Sequence, residues 1–198
     1  MENKVNKPLV VLLATLGFGF CAMAQDRPKV EVFGGYSLES IVPCGTGCRE
    51  LGITFPPTDF NGWNVSLTGY LYKSVGVTAD FSGHYASQIV YDPVVGSHRY
   101  SYLFGPTYKF RGNNVGSVFV HALFGAISQG SGQLSSLDYT KFAWVLGCGL
   151  DVNVSRHFLM RPVQFDYERS SVPSFGNGSD AAEPVNGFRY SGGVVIKF

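Results

Sequence analysis

From Lys29 onward the chain alternates between apolar and polar side chains with a period of two. The clearest stretch is its last eleven residues. There Phe188, Tyr190, Gly192, Val194, Ile196 and Phe198 fall on one side, and Arg189, Ser191, Gly193, Val195 and Lys197 on the other. This period is that of a β-strand with one apolar and one polar face. Seven earlier segments repeat it. The first is Lys29–Glu39 (Val30, Val32, Tyr36, Leu38), followed by Gly62–Tyr72 (Trp63, Val65, Leu67, Leu71) and Val75–Tyr85 (Val75, Val77, Ala79, Phe81, Tyr85). The fourth is Arg99–Phe110 (Tyr100, Tyr102, Phe104, Tyr108, Phe110), and the fifth Ser117–Ile127 (Val118, Val120, Ala122, Phe124, Ala126). Lys141–Val152 (Phe142, Trp144, Leu146, Cys148, Leu150, Val152) and His157–Tyr167 precede the closing strand. Each is close to the roughly 9–11 residues with which a tilted strand crosses a bilayer.

The connections alternate too. Glu39–Asn61, Ala86–His98, Ser128–Thr140 and Glu168–Asn186 are long, whereas Lys73-Ser74, Arg111–Gly116 and Asn153–Arg156 are short. No helical crossover is available between strands, so neighbours must be antiparallel. An even number of strands with long and short connections in turn predicts an all-β, eight-stranded, up-and-down transmembrane β-barrel.

A soluble barrel would show the same alternation with its apolar side inward. Size and charge decide the direction. The polar series is rich in Gly, Ser, Thr and Asn, which suits the narrow interior of eight strands. The apolar series carries aromatics near the strand ends: Trp63, Tyr102, Trp144, Tyr167 and Phe188 towards the long connections, and Tyr108, Phe110, Phe158 and Phe198 towards the short ones. Two aromatic girdles mark a wall that faces lipid.

Composition agrees with that picture. Charged residues make up 15%, against roughly 25% in soluble domains, while aromatics reach 15% and there are 25 glycines. A net charge of +1 leaves no basic excess for nucleic-acid phosphates. Residues 1–24 read as a secretory signal peptide: Lys4 and Lys7, the apolar run Leu9–Phe20, then Ala22-Met23-Ala24 before a cut at Gln25. The barrel occupies 25–198. It carries 13 basic and 13 acidic residues (15 − 2 and 14 − 1) and is formally neutral. Export favours a disulfide between Cys44 and Cys48 across Gly45-Thr46-Gly47, and Cys148 is left on an apolar strand face.

Two prolines interrupt the pattern differently. Alternation runs unbroken through Pro106. Around Pro162 it slips, because Arg161, Gln164 and Asp166 all belong inside; this predicts a β-bulge at or next to Pro162.

Candidate chemistry lies in the interior series. Asp80, Ser82 and His84 share one strand face, but residues two apart on a strand are roughly 6.5–7 Å apart, so Asp80 and His84 are too distant for a catalytic relay. A polar interior network is the expectation. Glu31, Asp80, Asp151 and Asp166 can pair with Arg99, Lys109, Lys141, Arg161, Arg189 and Lys197, with His121 hydrogen-bonded among them. The four histidines are dispersed, and neither a metal nor a cofactor is expected.

The last eight residues, Ser191-Gly192-Gly193-Val194-Val195-Ile196-Lys197-Phe198, resemble the C-terminal signal that barrel-assembly machinery reads: polar, x, Gly, x, x, hydrophobic, x, aromatic. The resemblance assigns that role to Ser191, Gly193, Ile196 and Phe198. Stretches such as Val30–Tyr36, Val75–His84, Phe119–Ala126 and Leu146–Val152 make the chain similar to the small outer-membrane barrels of the OmpA/OmpX-like group. The similarity implies integral insertion in a bacterial outer membrane after export, with outer-membrane lipids and the assembly machinery as partners and a monomeric state. It extends to the barrel domain and not to the peptidoglycan-anchoring domain of full-length OmpA. The functional expectation is non-enzymatic: envelope structure, or surface interaction through the long outer connections. The alternatives are a narrow pore for ions or small solutes and, from another class, an outer-leaflet lipid-modifying enzyme.

Overall fold

The computed structural model describes residues 30–41, 58–88, 95–110, 115–131, 139–173 and 182–198. The signal peptide and the Cys44–Cys48 pair lie outside the described residues. Eight strands run in order: β1 (Val30–Ile41), β2 (Thr58–Tyr72), β3 (Val75–Gln88), β4 (Val95–Lys109), β5 (Gly116–Ser131), β6 (Tyr139–Asn153), β7 (Phe158–Pro173) and β8 (Ala182–Lys197). Each pairs antiparallel with its neighbours in sequence, and β8 returns to β1 to close the barrel. Closure puts Gly35 opposite Gly193 and Glu39 opposite Arg189.

The side-chain alternation divides outside from inside as the sequence predicts. On β8, Phe188, Tyr190, Val194, Ile196 and Phe198 are exposed while Arg189, Ser191 and Val195 are buried. The aromatics of both girdles lie on the outer wall. Tyr102, Tyr108, Phe110, Trp63 and Phe158 are exposed, and Trp144 and Tyr167 pack edge to face at a 5.7 Å centroid separation. Cys148 is on this wall, exposed and unpaired.

The strands are longer than the sequence reading allows, mostly at the long-connection end. β1 continues to Ile41 and β2 starts at Thr58, while β7 runs to Pro173 and β8 begins at Ala182. Hence Glu39 and Glu168, read above as loop beginnings, are inside strands. Sixteen residues at ~3.3 Å each, tilted by ~40°, span ~40 Å, which exceeds the ~25 Å apolar band of such barrels. Ladder hydrogen bonds do not require lipid, so pairing persists where the apolar pattern fades.

The register slips on both sides of Pro162. Against β8, Arg161 pairs with Gly193 and Gln164 with Ser191; against β6, Met160 pairs with Val152 and Val163 with Leu150. In each case three steps on β7 match two on its neighbour, the geometry of a bulge. Pro162 and Val163 both face outward, and Arg161 and Gln164 both face inward. Pro106 keeps its pairing with Val77, and the β4–β5 register is the same on either side of it. A further slip, absent from the sequence reading, occurs between Tyr70 and Tyr72 beside the tight turn, where Lys73 adopts a φ of 43°.

Inside, three small apolar clusters alternate with the polar groups. Phe33, Leu159 and Val195 fill the short-turn end; Leu103, Leu123, Ile127, Ala143 and Val145 line the β4–β6 wall; Ile41, Phe60, Ala86 and Val185 fill the long-connection end.

Candidate functional site

The candidate site is the interior itself, where inward positions of all eight strands converge. Charged side chains taken from water are stable only when paired and hydrogen-bonded, and here they sort into three layers.

The layer nearest the short turns joins Glu31, Lys109, Asp151 and Arg161. Lys109 Nζ lies 2.7 Å from Glu31 Oε1 and 2.8 Å from Asp151 Oδ2. Arg161 donates from Nε to Asp151 Oδ1 at 2.7 Å and from Nη1 to Gln164 Oε1 at 2.8 Å. Its guanidinium is stacked between two rings, 4.6 Å from the Phe33 centroid and 4.0 Å from that of Phe119. Tyr70 donates to Glu31 Oε2 at 2.9 Å.

Arg189 organises the middle layer. Its Nη1 donates to Asp80 Oδ1 at 2.9 Å and to Ser82 Oγ at 3.1 Å, and its Nη2 lies 2.7 Å from Asp166 Oδ2. Asn64 donates to the other oxygen of Asp80 at 2.9 Å, Gln164 Nε2 donates to Asp166 Oδ2 at 2.9 Å, and His121 Nε2 is 2.9 Å from Asp166 Oδ1. The bulge is what admits β7 here: its phase shift lets Gln164 and Asp166 point inward beyond an inward Arg161.

The layer nearest the long connections was not foreseen. Arg99 Nε lies 3.0 Å from Glu39 Oε1, and Arg99 also pairs with Glu168 and donates to Gln129 at 3.1 Å and Ser170 at 3.2 Å. His84 Nδ1 is 3.1 Å from Glu39 Oε2, and its Nε2 is 2.9 Å from Ser37 Oγ, which meets Ser191 Oγ at 3.0 Å.

Most of the interior residues named from the sequence fall into these layers. Glu31, Lys109, Asp151 and Arg161 meet in one layer, and Asp80, Asp166 and Arg189 in the next. Among the described residues, neither Lys141 nor Lys197 takes part in an ion pair. Asp80 and Ser82 serve Arg189 while His84 serves Glu39, so the three do not form a relay. The missed acids had a signal: Glu39 continues the inward series Glu31, Phe33, Gly35, Ser37, and Glu168 continues Gln164, Asp166.

Around His121, a small cavity is lined by Ser66, Thr68, Thr78, Thr107, Tyr70, Phe119 and Arg161. Three of its hydroxyls are linked, Thr78 Oγ1 lying 2.8 Å from Thr68 Oγ1 and 2.5 Å from Thr107 Oγ1. It has space for about one water molecule.

No protein-family model matches the chain, and no curated protein matches it. Solved structures do. Neisserial surface protein A aligns with a TM-score of 0.61 at 11% identity, over 88% of this chain and 100% of its own. Ail, the attachment invasion locus protein of Yersinia pestis, aligns at 0.53 with 18% identity, over 87% and 100%. The outer membrane protein OprG from Pseudomonas aeruginosa aligns at 0.50 with 14% identity, over 85% and 95%. The chain has the fold of the small eight-stranded outer-membrane β-barrels, of which the OmpA/OmpX-like proteins are examples.

Proposed function

We propose that this chain is an integral, non-enzymatic barrel of the bacterial outer membrane whose work is done by its outer surface: envelope structure, or contact with partners through the long connections. The outer wall supports the location, because exposed aromatics and aliphatics such as Leu67, Phe104, Phe124 and Met160 would be costly in water and are at home in lipid. One observation carries the functional reading. Among the described residues, three ion-pair layers and apolar clusters towards each end occupy the interior, an arrangement that favours a filled lumen over a pore. The printed name of Ail, an attachment protein of the same fold, points the same way.

Planar-bilayer recording of the purified protein tests this. The expected result is the absence of single-channel events; discrete, reproducible conductance steps would refute the blocked lumen and restore the pore reading. The remaining assignments belong to the same proposal. They are a Cys44–Cys48 disulfide, the closing residues Ser191, Gly193, Ile196 and Phe198 as the assembly signal, and lipid and assembly machinery as partners of a monomer.

A further inference from the structure

We infer that the short-turn rim of the barrel is a docking surface for anionic phospholipid head groups of the periplasmic leaflet, with Lys73, Arg156 and Lys197 as its cations. In barrels of this kind the short turns face the periplasm. Such docking requires a barrel inserted in that orientation, as proposed above, and gives the end opposite the long connections a task of its own.

The rim is cationic because the acids of that end are already engaged. Among the described residues these are Glu31 and Asp151; Lys109 holds both, and Arg161 holds Asp151 as well. Lys73 and Arg156 are exposed and Lys197 is half-exposed. None of the three takes part in an ion pair among the described residues. The terminal carboxylate of Phe198 offsets at most one of them. The opposite end differs: its strands carry both signs, Asp59 and Glu183 with Lys141 and Arg169.

Depth and spacing fit lipid phosphates. Each cation is one or two residues from exposed apolar side chains of the lower girdle: Lys73 follows Tyr72, Arg156 lies between Val154 and Phe158, and Lys197 between Ile196 and Phe198. Aromatic side chains of a girdle sit at head-group level, and the long stems of lysine and arginine carry their charge from there to the phosphates. Lys73 Nζ is 5.2 Å from the centroid of the Tyr72 ring. The turn that carries Arg156 is tied down, the amides of Val154 and Ser155 donating to the Phe158 carbonyl at 3.2 and 2.9 Å. The Lys197 amide donates to the His157 carbonyl at 2.8 Å, so Arg156 and Lys197 share one arc of the rim. Lys73, between β2 and β3, lies four strands away across the ring. Cations spread around the rim at girdle level suit a ring of lipids better than one compact acidic partner.

The test uses the mature barrel reconstituted in vesicles of phosphatidylcholine and phosphatidylglycerol. Spin-labelled lipids of each head group report their relative association with the protein. One cation beside an anionic head group favours it about fivefold, so phosphatidylglycerol should be preferred by about two- to fivefold when averaged over both leaflets. The preference should shrink between ~0.1 and ~1 M salt, as the screening length falls from ~10 to ~3 Å. The triple variant Lys73→Gln, Arg156→Gln, Lys197→Gln should lose it, and each single variant should lower it. The same change at the other end, Lys141→Gln with Arg169→Gln, should leave it intact. Band-shift electrophoresis reports insertion separately: a wild-type chain that does not insert refutes the location itself. An inserted barrel without the preference overturns the proposal, as does a preference that is indifferent to salt, unchanged in the triple variant or equally lost in the control. Retention of purified peptidoglycan by the wild type and not by the triple variant, with no preference among lipids, would also overturn it.

Discussion

Replacing Arg189 by methionine is the sharpest probe of the interior. The guanidinium is 1% exposed and contacts two carboxylates, Asp80 at 2.9 Å and Asp166 at 2.7 Å, as well as the Ser82 hydroxyl. Methionine roughly matches the length of the chain but supplies no donor. Removing one partner of a buried ion pair costs about 3–5 kcal/mol, mostly because the other charge is left unpaired. Here one cation serves two acids, so the upper end of that range, about 5 kcal/mol, is the expected loss. With a urea dependence of about 2 kcal/mol per molar, the unfolding midpoint falls by about 2.5 M. Trp63 and Trp144 report the transition by fluorescence, with band-shift electrophoresis of unboiled samples as a second readout. The triple variant Arg189→Met, Asp80→Asn, Asp166→Asn removes the charges together and should recover most of the loss, since neutral replacement of a whole buried network is often well tolerated. A single variant within about 1 kcal/mol of the wild type would refute the reasoning, as would a triple variant no better than the single one.

Other consequences are equally direct. At the closing seam a Cβ on Gly35 would sit 2.2 Å from the Gly192 carbonyl oxygen, whereas one on Gly34 meets nothing within 4 Å. Gly35→Val should therefore abolish the heat-modifiable folded form and Gly34→Ala should not; equal behaviour of the two would count against the seam's geometry. Cys148, on the outer wall, should react in folded protein with a small lipid-soluble maleimide and hardly at all with a charged, impermeant one, and brisk labelling by the latter would remove that wall from the membrane. Deleting Phe198 should lower the amount of barrel in the outer membrane without blocking export, which fractionation and immunoblotting can follow; normal membrane levels would argue against its assembly role.

Much of this architecture is legible in the sequence because a strand has only two sides. Once Arg189 and Phe188 are known to face opposite ways, every neighbour's direction follows. The bulge at Pro162 can be read because Arg161, Gln164 and Asp166 are polar at an odd spacing that no regular strand places on one face. Strand ends are harder. Glu39 and Glu168 follow the inward parity, but Gly, Ser and Pro dominate the adjoining stretches, and a bilayer's thickness sets no limit on a ladder that continues into water. Pairing within the lumen is harder still. Which acid meets Arg99 depends on how eight strands are staggered around a closed ring, and local spacing carries no such information. That is why Lys141 and Lys197, inward by parity, are expected from the sequence in ion pairs that do not occur among the described residues.

The extra residue in β7 acts on the strand as an inserted letter acts on a reading frame. Below it, inward parity is odd, at Leu159 and Arg161; above it, inward parity is even, at Gln164, Asp166 and Glu168. One strand thus delivers a base to the first layer and acids to the second and third. Were the same residues to pair regularly, with no bulge, keeping Arg161 inside would turn Gln164, Asp166 and Glu168 outward and strip both upper layers of a carboxylate. Proline at the slip holds the frame open, because its ring nitrogen offers no hydrogen for the neighbouring strand to recapture.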